Sequence, residues 1–317
     1  MNHELNKVSV VILNYNGLKL MQKYLPTVIE NSRGAEVIVA DNGSTDGSVE
    51  WLRNEHPELR LIAFEKNFGF AEGYNQALKL VDNEYYVLLN SDVRTPEGWL
   101  QPLFDYMETH SECAACQPKI RAELEPEKFE YAGAAGGFMD IYGYPLFKDD
   151  IAAFCERKLP FIVWNNIYRR SSLINNKITW DVNLKSLQDA QFNLQCLLSG
   201  MRYEYSVSPA DYAYRYGVAG SVSKKINTAE HLKSNLYTIG YFYNEVQQKF
   251  SHKYDFSLYK GTVQILLSIL RNDAPKWFTK QLVATVINKS PIWGFILQIQ
   301  VLIYNLLINF LLFVINI

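Results

Sequence analysis

A surplus of charge of either sign is what these 317 residues lack: 31 basic and 33 acidic side chains leave a formal charge of -2 and an isoelectric point near 6.2. Proteins that grip a polyanion carry a basic surplus or stripe, so this balance argues against a nucleic-acid partner. Cysteine is scarce as well. The four present, Cys113, Cys116, Cys155 and Cys196, cannot staple a chain of this size, which suits a reducing compartment. Cys113 and Cys116 have redox spacing, yet no second pair exists and the segment runs into a strand-like stretch, so both read as structural thiols. Residues 1–7 hold no apolar leader, and no cleaved signal is expected. No Gly-x-Gly-x-x-Gly follows the first strand-like run and no Gly-Lys-Ser/Thr occurs there. A dinucleotide dehydrogenase and a P-loop enzyme are therefore unsupported, and a nucleotidyltransferase lacks the basic phosphate loop it would need near that strand.

Core-forming material is abundant, with 48% hydrophobic and 14% aromatic residues, enough for one large or two modest domains. The chain is organised around Tyr85-Tyr86-Val87-Leu88-Leu89-Asn90-Ser91-Asp92, an apolar run ending in an amide and a carboxylate. Such a run reads as a strand covered on both faces, the mark of a parallel sheet. Residues 7–14, 36–41 and 59–64 repeat the pattern. Between them lie a helix over 17–31, with Leu18, Met21, Leu25, Val28 and Ile29 at helical spacing, a short helix capped by Asp46 or Ser48, and a third over 71–81. A helix over 96–110 and a fifth strand over 113–120 follow. Alternation of this kind implies right-handed crossovers and a doubly wound α/β fold.

After residue 120 the texture changes. Residues 131–145, rich in glycine and aromatics, read as a binding loop that approaches a ligand closely. A short strand over 161–164, an amphipathic helix over 189–199 closed by Gly200, an edge strand over 202–208 with 210–216 beside it, and helices from 228 onward complete the pattern. From Ser290 to Ile317 there is no charged side chain, a run long enough for a hydrocarbon core of about 30 Å. Gln298, Asn305, Asn309 and Asn316 fall near one helical stripe, and Lys276, Trp277, Lys280 and Lys289 lie upstream. Three readings stay open for the membrane-contact candidate 276–317: a helix lying in the interface, a span, or a helix buried in protein, including a homo-oligomer seam. A span would leave the catalytic part in the cytoplasm, because the basic residues precede it.

In open α/β sheets ligands bind outside the carboxyl ends of the strands. The polar residues of the first half gather there: Asn14-Tyr15-Asn16, Asp41-Asn42, Asn67 and Asn90-Ser91-Asp92. Any of them alone is an ordinary turn or cap. Together, at successive strand ends, they point to a ligand site. Asp92 is the first candidate for a metal or phosphate-bridging residue, Asp41 can accept from a base or ribose hydroxyl, and the amides at Gly69-Phe70 can face a phosphate.

Residues 8–16, 37–48, Asn67-Phe68-Gly69-Phe70 with Gly73-Tyr74-Asn75, and Leu88-Leu89-Asn90-Ser91-Asp92 together resemble family 2 glycosyltransferases of the GT-A fold. The likeness is to the rhamnosyltransferase-like branch, whose members often carry Asn-Ser-Asp where others have Asp-x-Asp. It covers residues 7 to about 120, and 117–120 and 131–138 extend it. The resemblance implies a GT-A fold with a C-terminal helical extension: a nucleotide-sugar-binding half over 1–120, an acceptor-binding and catalytic half over 121–225, and a helical region over 226–317. It implies a nucleotide-diphosphate sugar as donor, dTDP-rhamnose among the candidates, and a cell-surface polysaccharide or lipid-linked glycan as acceptor, with work at the inner face of the cell membrane. Donor-binding residues would be Asn14, Asn16, Asp41, Asn42, Asn67, Gly69, Asn75, Asn90, Ser91, Asp92 and Arg215. A divalent metal, Mg or Mn, would bridge Asp92 and the diphosphate.

The second half departs from the family pattern. Where an acidic cluster precedes a helix and an Arg-containing turn, this chain has Gln188-Asp189-Ala190-Gln191 and Gln195. Asp189 alone aligns with the general base of an inverting transfer. The acceptor segment is altered to Trp164-Asn165-Asn166, and Arg215 stands where a His often helps to hold the metal. A fixed cation there would take over charge neutralisation and weaken metal dependence. The lost acidic residues also raise an alternative, a catalytically silent GT-A subunit that scaffolds a glycan-assembly complex.

Overall fold

The structure is a computed structural model that describes residues 4–116, 120–122, 150–158, 166–185, 187–202, 212–214, 228–270 and 275–315. Cα packing divides the chain into two units, Met1–Leu146 with Pro160–Val182 and Gln188–Ala219, and Phe147–Leu159 with Asn183–Leu187 and Gly220–Ile317.

In the first unit the strand-helix alternation is realised as β1 (Val8–Asn14), α1 (Leu18–Asn31), β2 (Glu36–Asp41), α2 (Ser48–Glu55), β3 (Arg60–Ala63), α3 (Gly69–Leu78) and β4 (Tyr85–Asn90). Then come β5 (Val93–Arg94), α4 (Gln101–Thr109), β6 (Ala115–Cys116), β7 (Ile120–Ala122) and, in the second unit, α5 (Asp150–Cys155). β8 (Ile167–Arg169), α6 (Arg170–Asn175), α7 (Gln188–Leu198) and β9 (Tyr212–Tyr214) close the first unit. Six strands form one sheet in the order β3-β2-β1-β4-β8-β6, and β5-β9-β7 form a second. β3, β2, β1 and β4 run parallel, while β8 is antiparallel to β4 and to β6. This mostly parallel, two-faced arrangement is the expected fold.

Period two along the strands feeds two cores. Val8, Val10, Ile12, Val37, Val39, Val87 and Leu89 face α1, α2 and α4, where Met21, Leu25, Leu52, Phe104 and Met107 meet them. Val11, Ile38, Ala40, Tyr86 and Leu88 face α3, α6 and α7, against Tyr74, Ala77, Leu173, Trp180 and Phe192. Burial on both faces explains why the strands read as unbroken apolar runs. Each such Val, Leu or Ile contributes about 1.5–3 kcal/mol on leaving water.

The opposite, amino-terminal edge is braced by charge. Glu108 accepts from Lys7 Nζ (2.9 Å) and from the Tyr85 hydroxyl (2.6 Å), and Arg169 donates to the same hydroxyl (2.7 Å) and to the Met107 and His110 carbonyls. Burial and then the Glu108 carboxylate push the Tyr85 phenol up to about 12.

Two sequence expectations shift. The helix expected from 96 starts at Gln101, because residues 95–100 are tied down as a turn. The buried Trp99 indole donates to Ser32 Oγ (3.2 Å), and the Thr95 hydroxyl and carbonyl bond to Thr27 and Asn31 of α1. The fifth strand is β6 alone, with β7 assigned to the other sheet. None of the four cysteines forms a disulfide; Cys155 is buried, while Cys113 and Cys116 are half-buried against the core.

The second unit also holds α8 (Ala229–Phe250), α9 (Asp255–Leu270), α10 (Lys276–Lys289) and α11 (Pro291–Ile315). Among the described residues no helix is long and apolar enough to cross a membrane. α5 is fixed through Glu156, which accepts from Ser257 Oγ (3.1 Å), Lys260 Nζ (3.1 Å) and Lys158 Nζ (2.5 Å).

Candidate functional site

The strand order sets where a site can form. From β1 the chain winds outward to β2 and β3, then returns through α3 to β4 on the other side of β1. Ligands of open α/β sheets lie at the carboxyl ends on either side of such a reversal. Register brings Asn14 level with Asp41, and Leu13 level with Asn90.

Asn14 and Asp41 are fully buried. Asn14 Nδ2 donates to Asp41 Oδ2 (2.8 Å) and to Ser44 Oγ (3.3 Å), and the Ser44 amide donates to Asp41 Oδ1 (2.8 Å). Asn14 Oδ1 is buried with no protein partner. A buried acceptor of this kind calls for a donor from elsewhere. Asn16, with φ +50, gives its amide to Ser44 Oγ (2.9 Å) and accepts from the Thr45 amide at Oδ1 (2.8 Å). Asp46 accepts from the Leu18 amide (2.9 Å) and from the Ser48 amide and hydroxyl (3.1 and 2.5 Å). Burial pushes the Asp46 carboxyl up, but these hydrogen bonds outweigh it and hold the group below its usual range. Asp46 thus anchors the starts of both α1 and α2, while the residue preceding α2 is Gly47, which offers no side-chain cap.

A second set of bonds joins this turn to the start of α3. Asn42 donates to Asn67 Oδ1 (3.0 Å) and the Gly69 carbonyl (2.9 Å) and accepts from the Phe68 amide (3.0 Å). Asn67 Oδ1 also accepts from the Gly69 amide (2.7 Å). Asn42 therefore works as a loop-positioning residue. Gly43, at φ +75, lies where a Cβ would meet the Lys66 carbonyl carbon at 2.5 Å and the Asn67 nitrogen at 2.8 Å.

Of the predicted residues, Asn14, Asn16, Asp41, Asn42, Asn67 and Gly69 form one continuous network, and Asn90, Ser91 and Asp92 follow at the neighbouring strand end. Asn75 acts elsewhere. Its amide grips the Trp180 backbone, donating to the carbonyl (3.0 Å) and accepting from the nitrogen (3.2 Å). α7 grips the same segment. Gln191 accepts from the Asp181 amide (3.0 Å), and Gln195 accepts from and donates to Thr179 (3.2 and 3.0 Å). The Trp180 ring stacks on Tyr74 at 5.5 Å and packs against Phe192 at 4.4 Å. These clamps fix Asp189, in the first turn of α7, relative to α3. Tyr74 reports the result. Its hydroxyl donates to the Leu89 carbonyl (3.1 Å), and its ionisation is pushed up by burial and further by the Asp189 charge.

Asn166 is buried beside β4, donating to the Tyr168 hydroxyl (2.9 Å). Trp164, Asn165 and Arg215 lie outside the described residues. Ser44 and Gln191 were missed as site residues by sequence reasoning. Ser44 stands three residues after Asp41, the spacing at which a carboxylate caps a turn amide, and that signal was available. Among the described residues no three His, Cys, Asp or Glu side chains gather as a metal cage. Asp92, two residues after the last residue of β4, carries one hard carboxylate oxygen donor type. That donor set fits a magnesium-type cation completed by substrate phosphates and water.

The family model for glycosyl transferase family 2 matches residues 9–176. A Haemophilus influenzae protein described as an uncharacterized glycosyltransferase is 25% identical over 182 residues, 54% of this chain and 55% of that protein. The N-acetylglucosaminyl-diphospho-decaprenol L-rhamnosyltransferase of Mycobacterium tuberculosis is 24% identical over 137 residues, 39% of this chain and 44% of that protein. The chain thus spans about half the length of these curated relatives. S. aureus TarS 1-349, crystallised with UDP-GlcNAc, superposes with a TM-score of 0.67 over 88% of this chain and 79% of its own, at 18% identity. At that identity the likeness is one of fold.

Proposed function

The chain belongs to glycosyl transferase family 2, and on that premise we propose that it is an inverting glycosyltransferase. It takes a sugar from a nucleotide-diphosphate donor to a cell-surface polysaccharide or lipid-linked glycan, at the inner face of the cell membrane. The observation that carries this reading is the buried Asn14–Asp41–Ser44 network at the sheet's reversal point, the carboxyl-end position where open α/β sheets take their ligands. The base and ribose lie against Asp41, and the diphosphate toward Ser91, Asp92 and the start of α3. The acceptor hydroxyl gives its proton to the Asp189 carboxylate as its oxygen bonds to the anomeric carbon. The bond from that carbon to the diphosphate oxygen breaks, the electron pair leaves with the diphosphate, and configuration inverts. A divalent cation held by Asp92 would neutralise the leaving diphosphate, and Arg215 is the residue of this chain that would share that neutralisation. The mycobacterial relative supports rhamnose and a polyprenyl-linked acceptor as the first choices, and UDP-GlcNAc on TarS supports UDP sugars as the competing donors.

A second reading, a silent scaffold subunit, is favoured by one observation: Gln191 and Gln195 use their amides to brace the backbone where the family carries acid and Arg. Titration calorimetry with UDP, dTDP and GDP, with and without manganese, followed by turnover of the sugars of the tightest nucleotide, separates the readings. Selective binding with turnover supports the enzyme. Binding without turnover under any acceptor transfers support to the scaffold, and no binding overturns both.

A further inference from the structure

The C-terminal unit carries the charge that the chain as a whole lacks. Residues 147–159, 183–187 and 220–317 hold 14 basic and 7 acidic side chains, a formal +7, whereas the rest holds 17 and 26, a formal -9, together the -2 of the whole. Such an asymmetry between parts of one chain signals a charged partner.

On the same unit α11 leaves an apolar face in water. Ile292, Phe295, Ile299, Leu302 and Ile303 are 73, 61, 42, 59 and 50% exposed. At about 100° per residue these five fall within a stripe roughly 100° wide. Gly294 and Leu297 are buried on the opposite side, and the exposed Gln298 and Gln300 border the stripe. An aromatic cluster stands at the start of the helix. The Trp293 ring lies 4.6 Å from Phe256 and 5.1 Å from Tyr259, and the Lys260 ammonium sits 4.3 Å over the Phe256 ring. Phe256 is itself 45% exposed. The apolar stripe and amide border of α11, with the Phe256 ring and Lys260 of α9 packed beside its Trp293, make a surface suited to a lipid interface, apolar at its centre and with a cation next to its aromatic edge. A second copy is a poor occupant, because two units of +7 repel.

We propose that the C-terminal unit docks on an anionic lipid surface, with α11 in the interface plane and its 292–303 stripe at the acyl boundary. This goes beyond the reading of the strand-end site and stands or falls without it.

Co-sedimentation of the full chain with vesicles tests it. Binding is expected to phosphatidylcholine vesicles that contain phosphatidylglycerol, and it should be released by salt. Vesicles of phosphatidylcholine alone should retain little. The Phe295→Gln/Ile299→Gln/Leu302→Gln variant should lose about tenfold or more of the partitioning, with melting temperature and nucleotide affinity unchanged. Lys276→Glu/Lys280→Glu, which changes two exposed side chains on α10, should weaken binding to the anionic vesicles only. Parent-like binding by both variants overturns the proposal, as does equal binding to neutral vesicles. A parent dimer that the stripe variant turns into a monomer, with no vesicle binding, would also overturn it and make the face a seam between copies.

Discussion

Two glycines of the site separate backbone strain from collision. Gly43 and Gly69 have nearly the same backbone, φ +75 and +80, but a Cβ on Gly69 meets nothing within 4 Å. At Gly43 it meets Lys66 and Asn67 backbone atoms at 2.5 to 2.8 Å. Gly69→Ala should therefore cost only the left-handed penalty, about 1–2 kcal/mol. Gly43→Ala adds forced separation of two loops, about 1–3 kcal/mol more. For a domain of about 150–250 residues each kcal/mol lowers Tm by about 2–4 °C. Urea and thermal unfolding, followed by tryptophan fluorescence, should place Gly43→Ala below Gly69→Ala by about that increment. Separating the loops also strains the Asn42 bonds to Phe68 and Asn67, so nucleotide affinity should fall in Gly43→Ala by more than the lost folded fraction explains. Equal destabilisation by the two substitutions would refute the argument, because only the collision distinguishes them.

Asp92→Ala is expected to weaken donor binding and turnover together, whereas Asp189→Asn should keep donor affinity and lose about 10²–10⁴ in transfer; equal loss of both by Asp189→Asn in parallel calorimetry and turnover would remove it as base. On the proposal that Arg215 shares the charge, chelator should slow transfer without abolishing it; complete loss with full restoration by manganese would contradict that role. For Glu156, burial pushes the carboxyl up, but bonds from Lys158, Lys260 and Ser257 prevail and leave it below its usual range. Its folded pKa being depressed, its stabilisation is present above the ordinary glutamate value of about 4.3 and is lost as pH falls through the lower folded value. Glu156→Gln should cost about 1–3 kcal/mol near neutrality and flatten the acid limb of stability against pH; an unchanged acid limb would show that the lysines contribute nothing there.

The first half was legible because its physics is local. Strands covered on both faces have no polar side to show, so β1, β2 and β4 appear as plain apolar runs whose polar ends stand out. Asp41 and Asn14 could be named from those ends. Their mutual hydrogen bond could not, since it depends on β1 and β2 being neighbours in register, a property of the sheet order. The start of α4 was misread for a related reason: Trp99 and Thr95 are held by Ser32 and Thr27 on α1, and contacts that distant leave no periodic trace.

The amides of α7 carry the more instructive case. In sequence, Gln191 and Gln195 look like charges removed from a catalytic cluster. In the structure they hold Thr179 and Asp181 from one side while Asn75 of α3 holds Trp180 from the other. A neutral amide both donates and accepts, so it can seize a backbone carbonyl and a backbone N–H at once, which a carboxylate cannot. α7 is thereby fixed to α3 with Asp189 as the one acidic residue in its first turn. A site built to receive a diphosphate near such a helix meets less Coulombic repulsion for every carboxylate that an amide replaces. The amide at Gln191, which suggests a silent protein by comparison, thus has a physical use in an active one: it keeps the scaffold and lowers the negative charge a donor must face.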